Sequence, residues 1–162
     1  MPTWSQLCED KSLRDLPYKI ELNGQGQIIM SPTSNYHGNF AFRITEKLVE
    51  LLSGGEGIVE SAVQTSDGVK VADAAWCSAG RWEKISDDAA SHIAPEICVE
   101  VLSESNTEAE MMHKRALFCA AGAVEYWLCD RAGRMRFFPA QTELARSVFC
   151  PEFPSILPSR RR

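Results

Sequence analysis

The 162-residue sequence has no apolar run near the roughly 18 residues a membrane span needs. Its opening stretch, Met1 to Asp15, is mixed and polar, unlike a secretory signal. A cytoplasmic protein with no membrane partner is expected. There is no excess of positive charge either. Lys and Arg number 17 against 22 Asp and Glu, for a net charge of −5. That balance opposes a tight, sequence-independent nucleic-acid binder. It still permits an enzyme whose metal supplies the positive charge beside a phosphate. No Gly-rich phosphate loop, H-E-x-x-H or G-x-S-x-G is present, so P-loop and serine chemistry are unsupported. Six cysteines occur, at Cys8, Cys77, Cys98, Cys119, Cys129 and Cys150, with no C-x-x-C pair and no histidine at zinc spacing. They read as free, mostly buried thiols in a reducing compartment. Internal repeats and low-complexity segments are also missing.

What is present is an ordinary globular composition, 44% hydrophobic and 24% charged. One domain over residues 1–162 is expected, with an irregular tail from about residue 151, where Pro151, Pro154 and Pro158 fall. Tyr18 to Leu22 and Gln27 to Met30 read as strands around Asn23-Gly24-Gln25-Gly26. Ser31-Pro32-Thr33-Ser34 ends that hairpin and offers an N-cap. The stripe Ala41, Ile44, Leu48, Leu51 predicts a helix to about Leu52, stopped by Gly54-Gly55. Ile58 to Thr65 and Val69 to Trp76 form a second hairpin about Ser66-Asp67-Gly68, and Arg81 to Ile85 a helical turn. Glu96 to Leu102 is the central strand. Thr107-Glu-Ala-Glu110 is a capping box opening a helix from Glu108 to Ala121. Val124 to Cys129 and Met135 to Phe138 are strands, and Leu144 to Phe149 is a candidate strand. This order predicts a mixed α/β sheet with two main helices. The unit from Glu96 to Cys129 should be a parallel right-handed crossover.

One residue breaks the pattern. Glu100 lies within Ile97-Cys-Val-Glu-Val-Leu102, and a charge there is costly unless a cation, metal or proton compensates it. Glu96, two strand repeats away, is expected in solvent at the strand mouth. Lys114 falls on the apolar helix face with Met111, Leu117, Phe118 and Ala121. It is either a snorkelling lysine or a cation aimed at a phosphate or water near Glu100. Asp73 shares an otherwise apolar face with Val69, Val71 and Ala75, and reads as a turn residue or a site acid. His37 begins the stripe of the first helix, as a hydrogen-bonded structural residue or as one that contacts substrate or orients an acid. Glu46 and Glu50 fall off that stripe and should be exposed.

Taken together, Ser31-Pro-Thr-Ser-Asn-Tyr-His-Gly38, Ala72-Asp-Ala-Ala75, Gly80-Arg-Trp82, Pro95-Glu-Ile-Cys-Val-Glu-Val-Leu-Ser-Glu-Ser105, Lys114 and Ala121-Gly-Ala-Val-Glu-Tyr-Trp-Leu-Cys-Asp130 resemble the Uma-two family of the PD-(D/E)XK nuclease superfamily. The match spans about Tyr18 to Phe138. It implies a restriction-endonuclease-like core, a mixed sheet flanked by helices. It also implies Asp73 and Glu100 as metal carboxylates and Lys114 as their basic partner. The superfamily's lysine position, two residues after the second acid, is Leu102 here, so Lys114 would replace it from the next helix. Pro-Asp is replaced by Ala72-Asp73, and Ser-Pro-Ser by Ser103-Glu104-Ser105, which adds a charge near the site.

The activity implied is Mg²⁺-dependent phosphodiester hydrolysis, with Mn²⁺ as a substitute and DNA as substrate. Asp73, Glu100 and the Val101 carbonyl would be the ligands, and Lys114 would orient water or neutralise charge. A homodimer suits cleavage of two strands. The alternative is a non-catalytic nucleic-acid-associated or assembly protein that reuses the fold, which the acidic balance favours. A third reading is a purely structural buried pair of Glu100 and Lys114. Arg160 to Arg162 could be a frayed end or a phosphate contact.

Overall fold

The computed structural model describes residues 1–139 and 142–158, so the proposed role of Arg160 to Arg162 lies outside the described residues. Among the described residues, seven strands form one mixed sheet. β1 (Tyr18–Leu22) and β2 (Ile28–Pro32) make the first hairpin, and β3 (Gly55–Thr65) and β4 (Gly68–Ser78) the second. β5 (Ile97–Val101) and β6 (Glu125–Cys129) are parallel, and β7 (Met135–Pro139) returns antiparallel to β6. The helices are α1 (Trp4–Glu9), α2 (Asn35–Leu51), α3 (Ala79–Ile85) and α4 (Glu108–Ala120). The mixed sheet and the β5-α4-β6 crossover therefore stand as the sequence predicts.

Local chemistry sets the helix ends. Ser34 Oγ accepts the His37 amide at 3.2 Å, starting α2. Thr107 and Glu110 form the reciprocal capping box that opens α4. Phe40, Ala41, Ile44 and Leu48 of α2 pack on one sheet face with Ala74, Trp76, Val99 and Trp127. Met111 and Phe118 of α4 cover the other face with Cys98, Tyr126 and Leu128. Glu46 and Glu50 are exposed, as their phase requires. The 3.6-residue period thus lays one helix on each face of the sheet.

Three expectations fail. The N-terminal segment read as merely polar contains α1, with its own capping box at Thr3 and Gln6. Leu7 of α1 packs with Leu22 and Val69. Leu144 to Phe149 makes only an isolated bridge, Phe137 with Leu144, and not a strand. Glu96 is buried, because Ser78 donates to it from backbone (3.1 Å) and hydroxyl (2.7 Å) while Arg81 sits 3.4 Å away. A carboxylate at the end of a strand is retained inside when enough donors meet it there.

Strand β4 organises the sheet. Val69 pairs with Gln64 of β3 and also with Leu22 of β1. Ala75 pairs with Ile58 of β3 and also with Cys98 of β5. A strand has two edges, so β3 takes one edge along the whole of β4, and β1 and β5 divide the other. Between them the sheet forks. Residues 70–73 face that fork without a backbone partner from β1 or β5.

A second buried carboxylate holds the C-terminal segment. Glu125 is fully buried and accepts bonds from Trp127 Nε1 (2.6 Å), Ser147 Oγ (2.7 Å) and the Val148 and Phe149 amides (both 2.7 Å). We expect Glu125→Ala, which strands these donors, to lower unfolding free energy by about 3 kcal/mol or more in urea denaturation. A change below about 1 kcal/mol would show that the segment is held by its apolar contacts alone.

Candidate active site

The fork places the site. Carrying the Ala75–Cys98 and Ala74–Val99 register one step further sets Asp73 opposite Glu100. Both acids are 3% exposed, which means that their charge must be met by groups of the protein. Lys19 of β1 meets it first. Its Nζ lies 2.7 Å from Asp73 Oδ1 and 3.2 Å from Glu100 Oε2, and it donates to the Val71 carbonyl at 3.0 Å. Lys114 of α4 comes from the helix side, with Nζ 3.2 Å from Glu100 Oε1 and 2.8 Å from Glu21 Oε1. Glu21 Oε1 also accepts the Val71 amide at 2.8 Å. On the other side, Asp73 Oδ2 accepts the Val101 amide at 2.7 Å and contacts His37 Nε2 at 2.9 Å.

Asp73, Glu100, Lys114 and His37 therefore converge, and Asp73 is a mid-strand acid and not a turn residue. Lys114 does not snorkel to solvent; it ends between two carboxylates. Val101 enters through its amide, which orients Asp73. Glu104, expected to add charge near the acids, is exposed and pairs with Arg131 instead. An open cleft of about 880 Å³ lies against this wall, lined by Lys19, His37, Asp73, Glu100 and Lys114 among others.

Two network residues, Lys19 and Glu21, were not singled out from sequence. Alternation in Tyr18-Lys-Ile-Glu-Leu22 places both on one strand face, but such a charged face ordinarily meets solvent. Nothing local marks it as the wall of a fork. Glu60 was missed as well. It also lines the cleft, at the register position opposite Asp73, with a left-handed backbone (φ 56°) that a non-glycine residue seldom adopts.

The two acids titrate in opposite directions. Burial acts to raise the Asp73 carboxyl, but the Lys19 charge and then His37 overcome it and hold Asp73 below the ordinary carboxylate range. For Glu100 burial prevails over Lys114 and Lys19, helped by the neighbouring charges of Asp73 and Glu21, and pushes the carboxyl up to about 7. Burial likewise opposes the Lys19 charge, yet Glu100, Asp73 and Glu21 together raise its pKa above the usual lysine range.

Comparisons with known proteins bear on the family and the fold. The model of the Uma2 family, described as "putative restriction endonuclease", matches residues 5–152. Among solved structures, the chain is similar to a putative nuclease belonging to DUF820 from Anabaena variabilis ATCC 29413. The two share 16% identity over 89% of this chain and 83% of that one, with a TM-score of 0.67. At that identity the likeness speaks for the fold. Among curated proteins, none matches the chain.

The opposite titrations set a pH test. Glu100, with its raised value, contributes stability that is full below pH 4.5 and is lost as pH rises through about 7. Asp73, with its lowered value, contributes stability that is present above pH 3.8 and is lost as pH falls below it. We expect the Tm of wild type relative to Glu100→Gln to fall as pH rises from about 5 to about 8. Relative to Asp73→Asn it should fall as pH drops from about 4 to about 2. A Glu100→Gln difference that does not change with pH would mean that the Glu100 carboxyl titrates as it does in the unfolded chain.

Proposed function

The chain belongs to the Uma2 family of restriction-endonuclease-like proteins, and we propose that it is a metal-dependent endonuclease that hydrolyses phosphodiester bonds in DNA. The observation that carries this reading is the meeting of Asp73 and Glu100 from adjacent strands with Lys114 from α4 at the wall of an open cleft.

The donor set suits Mg²⁺ or Mn²⁺, because Asp73 and Glu100 offer carboxylate oxygens, the hard donors these ions take. Among the described residues, however, no three His, Cys, Asp or Glu side chains stand together as a ready cage. The four oxygens of the two acids are already engaged by Lys19, Lys114, His37 and the Val101 amide. Asp73 and Glu100 would hold the ion in exchange for some of these contacts. The bound ion would supply positive charge at the scissile phosphate and a more acidic water.

The chain's own residues perform the rest. The Val101 amide and His37 fix the orientation of Asp73. Lys114, held between Glu21 and Glu100, presents a cation that orients the attacking water or offsets charge developing on the phosphate. Ser31, Thr33, Asn35, Ser103 and Asn106 line the cleft with neutral hydrogen-bonding groups suited to a nucleic-acid backbone. Cleavage of two strands favours two sites, so a homodimer belongs to this proposal. The six free thiols fit a cytoplasmic setting. No helix among the described residues is long and apolar enough to cross a membrane.

One observation favours a second reading. The ion-pair network is closed, and the cleft also carries Glu60, so the fold could serve a non-catalytic nucleic-acid-associated or assembly role. Incubation of the purified protein with single-stranded, duplex and branched DNA in Mn²⁺ separates the two. We expect cleavage of at least one substrate, reduced about 100-fold or more in Asp73→Asn while substrate binding persists. No cleavage of any of the three, or undiminished cleavage by Asp73→Asn, would overturn the enzymatic reading.

A further inference from the structure

The cation between the two site acids is part of the chain. Lys19 Nζ takes one oxygen of Asp73 and one of Glu100, at 2.7 and 3.2 Å, and the Val71 carbonyl at 3.0 Å. A lysine ammonium and a divalent cation seek the same oxygens, and one position between two carboxylates cannot hold both. Lys114 differs, because it holds the other Glu100 oxygen and Glu21 and makes no contact with Asp73. Among the described residues, Lys19 alone spans the acids.

We propose that Lys19 is a resident counter-ion that competes with the divalent metal for Asp73 and Glu100, so that metal loads only as the Lys19 ammonium leaves. This rests on the metal-dependent reading above. Lys19 has somewhere to go. Its side chain is 12% exposed and lines the cleft, and its strand shares one ladder pair with β4, Leu22–Val69. The released ammonium then stands in the cleft, where a phosphate would lie, as a point-charge partner. Until metal and substrate arrive, the buried acids stay paired, which removes the cost of two unmatched charges. In an acidic protein, this arrangement also delivers positive charge to the cleft only when the metal is in place.

Two measurements test this. Mn²⁺ affinity is read by electron paramagnetic resonance for wild type, Lys19→Met and the Lys19→Met/Glu100→Gln double variant. Methionine keeps the apolar stem and removes the charge. Loss of Lys19 should tighten Mn²⁺ binding about tenfold or more, and the added Glu100→Gln should reverse the gain. Equal or weaker binding by Lys19→Met overturns the proposal. In case that variant does not fold, wild-type protein is labelled with an amine-reactive anhydride, with and without saturating Mn²⁺, and Lys19 is quantified by mass spectrometry. Metal should raise Lys19 labelling about fivefold or more relative to Lys47, whose ion pair is exposed. Unchanged labelling overturns the proposal. DNA cleavage is followed on the same wild-type samples. Wild type that cleaves while Lys19→Met binds Mn²⁺ no tighter sinks the Lys19 assignment alone. Tighter binding by Lys19→Met with no cleavage by wild type sinks the nuclease reading alone.

Discussion

The main chain of Val71 is the point on which the site depends. It lies on the edge of β4 that β1 and β5 divide between them, in the gap that neither strand fills. A buried amide and carbonyl without partners would each be costly. Here the Glu21 carboxylate accepts the amide and the Lys19 ammonium donates to the carbonyl. Two side chains of β1 thus replace a missing rung of the ladder. The same two side chains reach on to Asp73, Glu100 and Lys114. Sheet architecture and site electrostatics are therefore one problem with one solution.

That solution has a bias built into it. Three carboxylates, Glu21, Asp73 and Glu100, face two ammonium groups, Lys19 and Lys114, before His37 is counted. Removing one partner from such a set leaves an uncompensated buried charge, so each member constrains the others. The two strand acids are not equivalent either. Asp73 has an amide, a lysine and a histidine in attendance and stays ionised, whereas Glu100 has only lysines and is pushed toward neutrality by burial. A site whose acids differ in this way, beside a cleft, has the character of reactive machinery more than of a structural ion pair. On the proposed function, a metal would add positive charge to this set.

Much of this was legible in the sequence where a period or a cap carried it. The capping box at Thr107 and Glu110 fixed the start of α4, and the helical phase then aimed Lys114 at Glu100, as found. The apolar run around Glu100 marked it as anomalous, and the Asp73 alternation placed it on a buried face. The failures have physical causes. Lys19 and Glu21 look like the solvent face of an edge strand, and only the fork, a tertiary feature, buries them. The place of Glu96 at the strand end points to solvent, but Ser78 and Arg81, distant in sequence, supply its donors. The Thr3 and Gln6 box of α1 is a readable signal within a segment that otherwise looks merely polar.

If the fork is filled by one cooperative set of charges, Lys19 and Lys114 must act on each other through Glu100 although they share no direct contact. A double-mutant cycle of Lys19→Met and Lys114→Met, measured by urea unfolding at neutral pH, reads that coupling. A departure from additivity of about 1 kcal/mol or more is expected. Additivity within about 0.3 kcal/mol would show two independent ion pairs and contradict it.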